Sequence, residues 1–157
     1  MTYDLRIERV IDAPPEVVFD AFVDPDAQKE LYDDVTDPTW IVESELDLRV
    51  GGTWTIVFGK AGKEPYRETN RFSEVDRPRR IVFDSTLFMV DDGRDVDTTV
   101  TVTFEDRDGK TFLTIVQTGF QREADRDGIQ GGWPSILDAL ERVVASRMAD
   151  RKGQGIG

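Results

Sequence analysis

Along this chain the spacing of apolar residues switches between a period of two and a helical period, and the switches divide it into elements. From Tyr3 to Ile11, Leu5 and Ile7 alternate with Arg6 and Glu8, which predicts a strand with one buried face. Asp12-Ala13-Pro14-Pro15-Glu16 then precedes the apolar set Val17, Val18, Phe19, Ala21 and Phe22. This is a helix start: Asp12 or a neighbour is placed to cap, proline suits the first turn, and Glu16 complements the positive end of the dipole. Asp24-Pro25 ends that helix, because the residue before proline is pushed out of the helical region. A second short helix is expected from Asp26 to about Tyr32, followed by an acidic loop from Asp33 to Pro38.

Strand-like runs follow at hairpin spacing over Trp40–Leu46, Thr53–Phe58, Tyr66–Val75, Arg80–Phe88, Val96–Phe104 and Thr111–Phe120. They are separated by turn chemistry at Arg49-Val50-Gly51-Gly52, Lys60-Ala61-Gly62-Lys63, Asp76-Arg77-Pro78, Asp91-Asp92-Gly93 and Asp106-Arg107-Asp108-Gly109. Gly131-Gly132 is expected to open a long helix from Trp133 to about Arg147, with Trp133, Ile136, Leu137, Leu140, Val143 and Val144 at helical spacing. Residues 1–149 read as a single domain and 150–157 as a disordered tail. Strands in series flanked by helices predict an α+β fold. A sheet of about seven antiparallel strands should twist and curve around the long C-terminal helix, with two short helices after the first strand.

Composition narrows the chemistry more than the architecture. Thirty-two acidic residues against 20 basic ones give a formal charge of −12, which disfavours both nucleic acid and anionic membrane surfaces as partners. That charge fits either a solvated surface or adaptation to high salt. With no cysteine and no histidine, thiolate catalysis, a Ser-His-Asp triad and Cys or His metal sites are all excluded. Asp91, Asp92, Asp95 and Asp97 imitate the spacing of a calcium loop, but Val102 stands where the bidentate glutamate belongs. Gly51-Gly52 leads into a strand rather than a helix and is no dinucleotide loop. No metal or cofactor is expected. The N-terminus lacks a signal-peptide pattern and no stretch is apolar enough to span a bilayer, so a cytoplasmic location is the default expectation.

Residues spread along the chain carry a resemblance. They are Ile11 to Phe22 with Asp24-Pro25, Asp47 to Trp54, Glu74 to Phe83, Thr101 to Phe104, Thr118-Gly119-Phe120, and Gly132-Trp133 with Leu137 and Leu140. The chain resembles the START-like (SRPBCC, Bet v 1-like) superfamily with the helix-grip fold. It is most similar to the branch named after the activator of heat-shock protein 90 ATPase. The resemblance implies a cavity between sheet and helix. It also marks two departures: many relatives carry a Trp pair where this chain has Glu30-Leu31-Tyr32, and glycine where Asn70 stands. Both positions are expected near the pocket.

Strand alternation gives the candidate lining. If Trp54, Ile56 and Phe58 face inward, the next strand turns Tyr66, Glu68, Asn70 and Phe72 inward and leaves Arg67 and Arg71 outside. Ser85 then accompanies Ile81 and Phe83, and Gln117 accompanies Leu113 and Ile115. Glu68, Asn70, Ser85 and Gln117 form a small polar set among Tyr32, Trp40, Trp54, Phe58, Tyr66, Phe72 and Trp133. Apolar walls with few convergent polar groups are the usual make-up of a small-molecule site. A slip of one residue would reverse the whole set. Glu68 reads as a pocket carboxylate able to exchange a proton, as a partner of an arginine, or as a residue on the wet face.

The first expectation is a non-enzymatic module for an apolar, aromatic or lipid-like small molecule. A cyclase-, dehydratase- or hydrolase-like enzyme using Glu68 is the alternative, by analogy with polyketide cyclases of the same superfamily. Activation of a chaperone ATPase is a third reading, and the less expected one. In the proteins that give the branch its name, the matching domain follows a separate N-terminal domain that this chain does not show. Monomer and dimer both stay open.

Overall fold

The structure is a computed structural model and describes residues 1–154. Its elements are β1 (Tyr3–Ile11), α1 (Pro15–Phe22), α2 (Pro25–Leu31), β2 (Trp40–Leu46), β3 (Thr53–Lys60), β4 (Tyr66–Asp76), β5 (Arg80–Met89), β6 (Arg94–Arg107), β7 (Lys110–Phe120) and α3 (Glu123–Gln154). The seven strands form one antiparallel sheet in the order β1-β7-β6-β5-β4-β3-β2. Strands β2 to β7 thus follow as successive hairpins, and β1 adds to β7 at the far edge. This is the expected α+β helix-grip architecture. No helix among the described residues is long and apolar enough to cross a membrane.

The hairpins begin and end close to where turn chemistry places them. At Gly51 φ is +81°, and a Cβ on Gly52 would lie 2.2 Å from the Asp47 carbonyl oxygen, so the turn before β3 requires glycine at both positions. Strand β3 runs two residues past Phe58, into the loop expected from Gly59. Near the end of β7, Gly119 takes φ +97° where the pairing with β1 shifts register between Tyr3 and Leu5.

One face of the sheet is apolar and buried. Trp54, Ile56, Phe72, Ile81, Phe83, Val100, Val102, Phe104, Leu113 and Ile115 are each at most 3% exposed. Helix α1 drops Phe19 and Phe22 onto this face, where both rings meet Phe104 edge-on at 5.1 and 5.9 Å. The helix is entered through Pro14 without a side-chain cap, so the capping role expected of Asp12 or a neighbour is not filled. Asp24, expected to end α1, also caps α2 by accepting from the Asp26 amide.

The largest difference from the sequence reading lies in α3. It starts at Glu123, ten residues before Trp133, and runs through Gly128, Gly131, Gly132 and Pro134. Glycine and proline lower helix propensity, but tertiary contacts override that weak preference. Asp125 is held by Arg94, and Ile129 packs on the core. At the other end the helix continues to Gln154, covering much of the tail expected to be disordered; residues 155–157 lie outside the described residues. Leu137, Leu140 and Val144 are buried against α1, α2, β1 and β7. Arg9 on β1 reaches Asp138 and Glu141, and Arg147 pairs with Asp24.

Candidate functional site

Where the N-terminal third of α3 passes over the sheet, packing stops short and leaves a cavity of about 370 Å³. Its helical wall is Ala124, Asp125, Gly128, Ile129, Gly132, Trp133 and Ile136. These recur one and four residues apart, the stripe a helix presents to one side. Gly128 and Gly132 keep that wall thin: a Cβ added at either would meet nothing within 4 Å. The sheet contributes Phe58 from β3, Tyr66 and Glu68 from β4, Ser85, Leu87 and Met89 from β5, Val96 and Thr98 from β6, and Gln117 from β7. Tyr32, just after α2, closes the side beside β3.

Of the sequence-predicted residues, Tyr32, Phe58, Tyr66, Glu68, Ser85, Gln117 and Trp133 meet at this cavity. Trp40, Trp54, Asn70 and Phe72 do not line it. Trp54 and Phe72 stack with ring centres 6.1 Å apart in the solid core, and Asn70 is fully buried with its Nδ2 donating to the Trp54 carbonyl. Trp40 stands behind Phe58 at 6.4 Å, its indole N–H donating to the Tyr32 carbonyl. They share the inward face but lie where α1 and α2 already fill the space. The lining also holds residues not anticipated. Leu87, Met89, Val96 and Thr98 continue the period-two pattern through Ser85 and Val100, and extending that alternation would have found them. The helical residues before Trp133 were missed with the start of α3, although Asp125, Ile129, Trp133 and Ile136 already carry the spacing.

Two polar groupings stand out in the wall. In one, the Trp133 indole donates to Gln117 Oε1 at 3.0 Å, and Gln117 Nε2 donates to Thr98 Oγ1 at 2.9 Å. This chain locks the Trp133 ring and satisfies both ends of a buried amide. In the other, the Tyr32 hydroxyl donates to Glu68 Oε2 at 3.1 Å. Burial pushes the Glu68 carboxyl above its ordinary value, and the polar groups of Tyr32, Asn70 and Ser85 offset part of that rise. Burial first, and then the neighbouring Glu68, raises the Tyr32 phenol well above its usual range. Among the described residues Glu68 makes no ion pair, so the arginine partner considered from the sequence is absent.

Near this wall, Tyr66 donates its hydroxyl to Asp91 at 2.6 Å, a contact that raises its pKa. Arg94 grips Asp125 through both terminal nitrogens at 2.7 and 2.5 Å, and that hydrogen bonding lowers the Asp125 pKa. Asp92 also binds Arg94. Thr86 donates to Asp97 at 2.7 Å, so three aspartates of the imitation calcium loop are engaged in protein contacts.

A family model described as Activator of Hsp90 ATPase homolog 1-like protein matches residues 12–145. No curated protein matches the chain. Among solved structures, a Chromobacterium violaceum protein is 28% identical over 90% of this chain and 96% of its own, with a TM-score of 0.76. An AHSA1-like protein from Aeromonas hydrophila is 27% identical over 92% of this chain and 94% of its own, with a TM-score of 0.70. A Nitrosomonas europaea protein shares the fold at 20% identity and a TM-score of 0.75, over 92% of this chain and 95% of its own.

Proposed function

This chain belongs to the Activator of Hsp90 ATPase homolog 1-like family, and from that premise we propose that it is a binding module enclosing an apolar or aromatic small molecule between α3 and the sheet. The observation that carries the reading is the cavity itself, about 370 Å³ and walled by Tyr32, Phe58, Tyr66, Leu87, Met89, Val96, Trp133 and Ile136. That volume falls within the range of roughly 300–1,000 Å³ common for small-molecule sites. The few polar groups, Glu68, Ser85, Thr98 and Gln117, are the means of orienting a guest. All four come from strands paired on both sides, whose ladders hold them rigidly.

Mass spectrometry of organic extracts from the purified full chain tests this reading. A bound apolar compound in stoichiometric amount, displaced by Gly132→Leu, supports it. An empty protein that also fails to take up any small aromatic compound contradicts it.

A second reading rests on the Tyr32–Glu68 pair. A carboxyl with raised proton affinity, hydrogen-bonded to a phenol inside an apolar cavity, has what a general acid or base needs. Under it, the protein is a cyclase-, dehydratase- or hydrolase-like enzyme. If turnover of a substrate found by screening is unchanged in Glu68→Gln, this second reading falls.

A further inference from the structure

We infer that the guest of this cavity is an organic cation, an amine or quaternary ammonium on an aromatic or aliphatic body, held by Glu68 beside the aromatic cluster of Tyr32, Phe58 and Tyr66. The inference rests on the binding-module reading and adds the charge of the ligand. No lysine or arginine lines the cavity, and the chain has no histidine, so the wall offers a carboxylate or phosphate no cationic partner. The two carboxylates at the wall differ. Asp125 is already neutralised by the two-pronged grip of Arg94, whereas Glu68 has a phenol partner and no cation among the described residues.

The aromatic wall beside Glu68 matches that charge. Phe58 stacks on Tyr66 at 5.4 Å and 17°, and Tyr32 tilts against Phe58 at 5.1 Å. In the β3–β4 register, Phe58 is opposite Tyr66 and Ile56 is opposite Glu68, so rings and carboxylate occupy adjacent positions. Each phenol donates to a carboxylate, Tyr32 to Glu68 and Tyr66 to Asp91, which pushes electron density into its ring. Electron-rich ring faces attract cations, and most strongly where water is excluded.

Glu68 is half-buried and hydrogen-bonded, so an incoming ammonium meets a counter-charge that is fixed in place and has shed part of its water. Tyr32 hydrogen-bonds to Oε2, and the polar groups of Asn70 and Ser85 fix the carboxyl from the sheet side, so the group the guest meets is already held in place. The formal charge of −12 adds a field that draws cations to the whole molecule and repels anions.

Three isosteric probes separate charge from shape: 2-(aminomethyl)naphthalene, 2-naphthalenemethanol and 2-naphthoate, titrated calorimetrically into the full chain and into Glu68→Gln at pH 7.5. The amine is expected to bind wild type at least fivefold more tightly than the alcohol, and the naphthoate at least fivefold more weakly. In Glu68→Gln the amine-to-alcohol preference falls below half its wild-type value. If the alcohol binds but either wild-type ratio is under fivefold, the inference is overturned and the binding-module reading survives. A preference that keeps half or more of its size in Glu68→Gln also overturns it. If none of the three binds wild type, the binding-module reading falls and this inference falls with it. The wild-type series stands whether or not Glu68→Gln folds.

Discussion

Replacing Gly132 with leucine changes the cavity wall without removing any side chain that holds the fold. A Cβ at this helical position meets nothing within 4 Å, so the new side chain has room. Exchanging glycine for a good helix former in a helix interior gains about 1 kcal/mol. Fully burying a leucine side chain contributes roughly 1.5–3 kcal/mol. Gly132 is exposed at the cavity mouth, and a leucine there that turns part of its side chain into the cavity adds roughly 1 kcal/mol. The expected gain is therefore about 2 kcal/mol, a rise in Tm of roughly 4–8 °C for a chain of this length. Gly131 provides the comparison. It is equally open but does not line the cavity, so Gly131→Leu collects only the helix term and shifts Tm by roughly 2–4 °C. Thermal unfolding of both variants, with 2-naphthalenemethanol titrations alongside, reads the two effects. Gly132→Leu should be the more stable variant and lose at least tenfold in affinity, while Gly131→Leu binds as wild type does. Equal stability and equal binding in the two variants would refute the reasoning, because the cavity would then have no part in either.

Gln117→Leu leaves the Trp133 indole N–H without its acceptor inside the wall, and should cost about 1–3 kcal/mol in urea unfolding. Adding Trp133→Leu, which removes the orphaned donor, should make the double variant less destabilised than the sum of the two single ones. Phe72→Ala empties a fully buried core position stacked on Trp54 and should cost about 3–5 kcal/mol, measured the same way. Asp125 and Glu68 respond to pH with opposite sign. The folded-state pKa of Asp125 is lowered, so its contribution is present above the unfolded value of about 3.9 and is lost as pH falls through the folded value. Asp125→Asn should therefore flatten the acid side of the stability curve. The folded pKa of Glu68 is raised, so in that window the folded state holds more protons and stability declines as pH rises from the unfolded value of about 4.3. Glu68→Gln should gain on wild type as pH increases through it, and a pH-independent difference would contradict the buried-carboxyl assignment.

Most of the sheet can be read from alternation and turn residues, because one buried face imposes a strict period of two. The inward set Glu68, Ser85 and Gln117 follows from placing Trp54 and Phe72 in the core, and each does face inward. What alternation cannot reveal is where along the inward face packing ends and empty space begins. Trp54, Asn70 and Phe72 share that face with Glu68, yet the short helices α1 and α2 seal the end they occupy. The start of α3 was hidden for a different reason. Three glycines and a proline mark a helix boundary by propensity alone, and only the Arg94–Asp125 grip and the packing of Ile129, both distant in sequence, extend the helix back to Glu123. The same glycines that obscure the helix make room for the cavity.

Heteronuclear NMR of the labelled full chain, titrated with 2-naphthalenemethanol, tests the central claim most directly. The account predicts saturable shifts at the Trp133 indole N–H and the amides of Phe58, Glu68, Leu87, Thr98 and Ile136, with the amides of Glu16, Arg79 and Thr103 at the far end unmoved. Absence of saturable shifts, or shifts centred away from Trp133 and Glu68, would contradict it.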